Sequence, residues 1–158
     1  FSSTATATLA YETAAVPGIP RGFGFVVARQ EADAVVAATF TATKFPGRVP
    51  AGKTLIRCFL GGAGRESWVE KPDAELLGAV RRDLERLLGL RAPPLLARIY
   101  RWVRANPQYN VGHEARLRRI DACLARRPGL ALAGASYRGP GLPDCVASAT
   151  AAATAVIH

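Results

Sequence analysis

The sequence predicts a mixed α/β fold of the α+β kind, and three features carry that expectation. Four short segments alternate at period two between Pro/Gly-rich turns, one longer segment repeats its apolar residues at helical spacing, and the final stretch reads as strand, glycine loop and helix. Thr4 to Glu12 (TATATLAYE) alternates small polar with apolar residues and predicts the first strand. Pro17, Gly18, Pro20 and Gly22 force a turn. Phe23 to Val27 (FGFVV) predicts a second strand, and its internal Gly24 fits either a bulge or a place where a ligand approaches the backbone. Val35 to Thr43 predicts a third, with Lys44 to Arg48 (KFPGR) as a loop. Thr54 to Leu60 predicts a fourth, closed by Gly61-Gly62. Four strands on short loops make a meander or mixed sheet.

Helical signals follow. Pro72 and Asp73 open a helix in which Leu76, Val80, Leu84 and Leu87 share one face while Arg81, Arg82, Glu85 and Arg86 point outward, and Gly89 stops it. After Pro93-Pro94, Leu95 to Val103 predicts a strand. Asn106 to Tyr109 is a turn, and a helix runs from about His113 to Arg126 with His113, Leu117, Ile120 and Leu124 on one face. Leu130 to Ala133 then reads as a strand buried on both faces. Gly134, Gly139 and Gly141 permit close backbone approach, Pro143 opens a helix, and the alanines that follow leave it thin enough to press against a sheet. The positive end of that helix favours a phosphate, a carboxylate or an electron-rich heterocycle.

Composition narrows the function classes. With 158 residues and 49% apolar content the chain can bury one core or parts of two, and no stretch approaches the roughly 20 apolar residues of a membrane helix. It begins at Phe1 and contains no methionine, so it is read as a piece of a longer polypeptide. The net charge of +9 raises the question of nucleic acid, but the arginines are scattered and no helix-turn-helix, zinc-finger or RNA-binding signature appears. No nucleic-acid partner is expected. An anionic substrate, a cofactor phosphate, an acidic membrane surface or solvated faces account for the charge equally well. Cys58, Cys123 and Cys145 are odd in number and widely spaced, as for reduced thiols in a cytosolic protein. No metal-ligand spacing is present.

Catalytic side chains are also missing from the pattern. No paired carboxylates or Ser/His/Asp arrangement occur; His113 shares its face with apolar residues, and Cys145, in the first turn of the last helix, lacks a base. Trp102 either stacks on a planar ligand or belongs to the core. A non-enzymatic basic binding module is the competing class.

The segments KFPGR (44–48), LIRCFLGG (55–62), RW (101–102), PQYNVGH (107–113) and LAGASYRGPGLPDC (132–145), in this order and spacing, resemble the C-terminal third of the FAD-dependent protoporphyrinogen oxidases, a family that includes bacterial coproporphyrinogen III oxidases. PQYNVGH and GASYRGPGLPDC are its specific parts. The chain departs from the family at Ser148-Ala149-Thr150, where relatives commonly carry Ser-Gly and a charged residue, and it lacks the GxGxxG fingerprint that holds the FAD pyrophosphate.

The resemblance implies a C-terminal fragment of a two-domain flavoprotein related to monoamine oxidase. Residues 1–92 would belong to the substrate-binding domain and 93–158 to the FAD-binding domain, with the missing N-terminal part supplying the rest. The implied reaction takes hydrogen from protoporphyrinogen IX or coproporphyrinogen III, with FAD as hydride acceptor and molecular oxygen regenerating it to give hydrogen peroxide. No catalytic side chain is assigned. By the same match Trp102, Gly139, Pro140, Gly141, Leu142 and Pro143 face FAD, and Phe23, Gly24, Val26 and Phe59 line the substrate wall, with Arg21 or Arg57 near its rim. A cytoplasmic location, extending to peripheral attachment at the inner face of the cell membrane, is expected. Another flavin amine oxidase-type enzyme, such as a carotenoid desaturase, is the alternative within the wider group.

Overall fold

The computed structural model describes residues 1–157, and the chain divides into two compact bodies. The first, Ser2 to Ala105, is built on β1 (Ser2–Glu12), β2 (Gly24–Val26), β3 (Val35–Phe40), β4 (Lys53–Gly61) and β5 (Leu96–Asn106), ordered β2-β3-β4-β1-β5. The β2–β3, β3–β4 and β4–β1 pairs are antiparallel. The Leu95 N–H bonds the Ala10 carbonyl and the Arg104 N–H bonds Ser3 Oγ, so β5 also runs against β1. The α+β class is as expected from the sequence.

Alternation gives the sheet two unlike faces. Ala5, Ala7, Leu9 and Tyr11 from β1, Val35, Ala38 and Phe40 from β3, and Ile56, Cys58 and Leu60 from β4 are buried together with Leu76, Ala79, Val80 and Leu84 of α3 (Asp73–Leu88). Each large aliphatic side chain so buried contributes roughly 1.5–3 kcal/mol. The stripe at 76, 80 and 84 therefore makes α3 the cover of one sheet face. It ends at Gly89, whose N–H bonds the Glu85 carbonyl. Asp83 is buried with the core and accepts the N–H groups of Ala34 (3.0 Å) and Val35 (2.8 Å), while Arg86 pairs with its other oxygen at 2.8 Å. One carboxylate thus ties α3 to the start of β3.

Two elements differ from the sequence expectation here. The third strand stops at Phe40, because Thr41–Lys44 closes a single helical turn (α1) with the Phe45 N–H on the Thr41 carbonyl. The guanidinium of Arg48 then sits 4.5 Å from the Phe45 ring, folding the KFPGR loop on itself. A second short helix, α2 (Ser67–Glu70), buries Val69 against the core without any sequence signal having marked it.

Burial pushes the Cys58 thiol up to about 12, with the Asp83 carboxylate adding to the effect, and burial chiefly raises the Tyr11 phenol to about 12 as well. In the unfolded chain these groups ionise near 9.0 and 10.0. Their folded pKa values lie higher, so the stability they contribute is fully present below pH 9 and is lost as pH rises towards 12. The expected result is a full-length protein whose melting temperature falls steeply above pH 9, with a shallower fall in Cys58→Ala. Parallel melting-versus-pH curves for the two proteins would contradict it.

The second body comprises Phe1 and the chain from Asn106 onward, with α4 (His113–Leu124) and α5 (Leu142–Ile157). Leu130 to Ala133, expected as a doubly buried strand, is not one: the segment is extended without ladder partners among the described residues, and Leu130 and Leu132 are exposed. A strand of that kind exists only where neighbours supply hydrogen bonds on both edges. With Ile120, Cys123 and Leu124 these leucines line an apolar cleft of about 430 Å³. For the same reason α5 buries none of its residues, although its small side chains suit tight packing.

Candidate functional site

The site residues named from the sequence fall into two groups, one in each body. In the first body, strand register settles which side chains share the uncovered sheet face. Val26 lies opposite Ala37, Ala37 opposite Phe59 and Phe59 opposite Thr6, forming one row across four strands. The next row is Gly24, Thr39, Arg57 and Thr8. Three of the four expected substrate-wall residues, Gly24, Val26 and Phe59, thus stand together on one face, and Phe23, at the entry to β2, is exposed.

Gly24 is explained by the sheet itself. With φ at +147°, a Cβ there would meet the Ala38 carbonyl oxygen at 2.0 Å, so the neighbouring strand already excludes every side chain. Close approach of a ligand is not required to account for this glycine.

β5 extends the same face. Ala97 and Ile99 pack on the core, so alternation turns Arg98, Tyr100 and Trp102 to the opposite side. Trp102 is 53% exposed and Tyr100 60% exposed, which decides against a core tryptophan. Arg101 instead faces the covered side, where it donates to the carbonyls of Val69 (2.9 Å) and Lys71 (2.7 Å) and pairs with Asp73 at 2.6 Å. The side chains of Arg57 and Arg98 on the uncovered face make no hydrogen bond or ion pair with any described residue. Two aromatic rings and two unpaired guanidiniums therefore share a half-apolar platform. Arg98 and Tyr100 had no motif to mark them; the alternation of β5 was their only signal.

In the second body, Gly139 to Pro143 lead into α5. The first intrahelical bond runs from the Cys145 N–H to the Gly141 carbonyl (2.9 Å), leaving the N–H groups of Leu142 and Asp144 without helical acceptors, while Pro143 has none to offer. Gly139 holds φ at +150°, and a Cβ there would lie 2.5 Å from Asp144 Cβ. At Gly141 the obstacle is Asp144 Oδ2, at 2.8 Å. The Asp144 side chain folds back over both glycines, so it, and not a ligand alone, forbids bulk here. Donors at a helix start beside bare backbone fit an electron-rich heterocycle. The Cys145 thiol points at the Gly139 carbonyl (3.9 Å), as a donor with no base beside it.

The loop is held from behind by the PQYNVGH turn. The Tyr109 hydroxyl donates to the Ala135 carbonyl (2.5 Å) and accepts the Gly139 N–H (2.8 Å). His113 stacks on Tyr109 with ring centroids 4.1 Å apart and bonds the Tyr137 carbonyl through Nε2 at 2.7 Å. Sequence reasoning had placed His113 only on a helix face. No group of acidic, histidine or cysteine side chains among the described residues could hold a metal ion.

The chain is similar to known proteins over nearly its whole length. Coproporphyrinogen III oxidase of Bacillus subtilis (strain 168) is 36% identical over 152 residues, covering 96% of this chain and 32% of the relative. The Staphylococcus aureus protein of the same name is 36% identical over 157 residues, covering 99% and 34% respectively. The solved structure of a protein from Exiguobacterium sp. 255-15, provisionally described as a protoporphyrinogen oxidase, superposes with a TM-score of 0.85 at 37% identity, over 99% of this chain and 35% of that one. This chain thus spans about a third of the length of the relatives it matches. With residues 1–157 matching the family model of flavin containing amine oxidoreductases, the chain belongs to that family.

Proposed function

We propose that this chain supplies the substrate-facing sheet and the flavin-facing end of an FAD-dependent porphyrinogen oxidase of heme biosynthesis. The observation that carries the reading is the uncovered sheet face, where Val26, Phe59, Tyr100 and Trp102 give a flat apolar surface and Arg57 and Arg98 stand ready for carboxylates. A porphyrinogen has that composition, a broad, largely apolar tetrapyrrole macrocycle bearing propionates. The names of the two bacterial relatives favour coproporphyrinogen III, which carries more carboxylates than protoporphyrinogen IX.

On this reading residues 1–92 belong to the substrate domain and 93–158 to the FAD-binding domain, the latter beginning with β5, which is the edge strand of the first body's sheet. Phe23, Gly24, Val26 and Phe59 form the substrate wall. The run Gly139 to Pro143 faces FAD, whose isoalloxazine would accept hydride when bound. The N–H groups of Leu142 and Asp144 would orient its polar edge, beside the Asp144 side chain that covers Gly139 and Gly141. Molecular oxygen would serve as the final acceptor of the hydrogen removed. We place the protein in the cytoplasm, extending to peripheral attachment at the inner face of the cell membrane. No helix among the described residues is long and apolar enough to cross a membrane.

Arg57→Ala in the full-length enzyme tests the carboxylate role. Loss of a charge-assisted hydrogen bond worth about 1.5–3 kcal/mol should raise KM for coproporphyrinogen III by roughly 10- to 100-fold at unchanged FAD content. An unaltered KM would remove Arg57 from the substrate wall.

A further inference from the structure

We infer that Tyr109 and His113 are positioning residues for the flavin-facing loop, acting as a clasp that fixes the backbone of residues 135–139 and so sets where Gly139 and the start of α5 stand. The inference rests on the proposed flavin role of that loop. Between Ala135 and Gly139 the chain has no regular secondary structure to satisfy its polar groups. The Tyr137 N–H bonds the Gly134 carbonyl at 3.2 Å, making one local turn. Three further backbone groups are satisfied by the two side chains: the Ala135 carbonyl and Gly139 N–H by one hydroxyl, and the Tyr137 carbonyl by the imidazole.

The geometry assigns protons as well as positions. Tyr109 O–H gives its single proton to Ala135, so it receives the one from Gly139; His113 must carry hydrogen on Nε2 to donate to Tyr137. Near-parallel stacking, with the rings 6° from coplanar, locks the two side chains to each other. The Nε2 of the histidine is therefore committed to a backbone carbonyl.

A loop without regular hydrogen bonding would otherwise sample many conformations, each placing the Leu142 and Asp144 N–H groups differently. The clasp removes that freedom before a cofactor arrives. Pre-organised donors stabilise developing charge without rearranging, which is where their advantage over water lies. PQYNVGH and GASYRGPG are thus two halves of one device, separated in sequence by α4 and joined through Tyr109 and His113.

The test uses full-length, FAD-loaded enzyme. Tyr109→Phe keeps the stacked ring and removes both hydroxyl bonds; His113→Ala removes the third, and His113→Gln restores an N–H at a similar reach. The deciding measurement is the midpoint potential of the bound flavin together with FAD affinity. Tyr109→Phe should weaken FAD retention about tenfold and move the potential to more negative values, as expected when the loop loses two hydrogen bonds. His113→Ala should move both the same way, and His113→Gln should recover the wild-type potential. A Tyr109→Phe enzyme whose bound flavin keeps the wild-type potential overturns the inference, even if its melting temperature falls, because only folding would then depend on the clasp. Wild-type protein without flavin overturns the functional reading and this inference together, so the two failures are told apart.

Discussion

Replacing Asp83 with alanine is expected to destabilise the full-length enzyme by about 2–5 kcal/mol, because it removes a buried carboxylate that accepts two backbone N–H groups. The substitution orphans the N–H groups of Ala34 and Val35, which find no water to replace the carboxylate in the core, while the half-exposed Arg86 keeps the Glu31 carbonyl and solvent. Each unsatisfied buried donor costs roughly 1–3 kcal/mol, and the cavity left by the carboxylate adds to it. Against a typical total stability of about 5–15 kcal/mol this is severe. Asparagine restores shape but turns an amide N–H₂ towards donors, so only part of the loss should be recovered. Urea unfolding followed by far-UV circular dichroism checks the expectation, and a midpoint unchanged in Asp83→Ala would refute it.

The second large effect is at Gly139. Valine there is expected to abolish FAD retention in the full-length enzyme, because φ near +150° is closed to a β-branched residue and the added Cβ would fall on Asp144 Cβ, which cannot move without moving α5. Gly141→Val should be much milder. Its φ is not positive, and the nearest atom, Asp144 Oδ2, is the free end of a side chain that can swing aside. Flavin content after gel filtration measures both. Equal retention by the two variants would mean that the loop's geometry is not what holds the cofactor.

Elements whose signal lies within their own residues were legible in the sequence. β1 and β4 alternate cleanly because one face is buried under α3, and α3 itself declares its stripe, its acidic first turn and its glycine stop. α4 begins at the expected His113, and α5 begins one residue before the Pro143 that marked its start. Features that depend on a neighbour were not. Leu130 to Ala133 has a strand's composition without a strand's partners, and α2 is too short to carry a period.

Site residues divide along the same line. Gly24, Val26 and Phe59 were picked by motif, and strand register then put them on one face. The reasons for the glycines were legible only in three dimensions: Gly24 answers to the Ala38 carbonyl and Gly139 to Asp144, neither of which adjoins it in sequence. The bond from Tyr109 to Gly139 crosses 30 positions, so spacing alone could not reveal it.

Mixing full-length protein with coproporphyrinogen III in the absence of oxygen tests the account most directly. The account predicts that the purified protein carries a yellow flavin band, that the porphyrinogen bleaches it within the enzyme's turnover time, and that admitting oxygen restores the band as porphyrin fluorescence grows. A protein that carries no flavin, or one whose flavin stays oxidised in the presence of excess porphyrinogen, would contradict it.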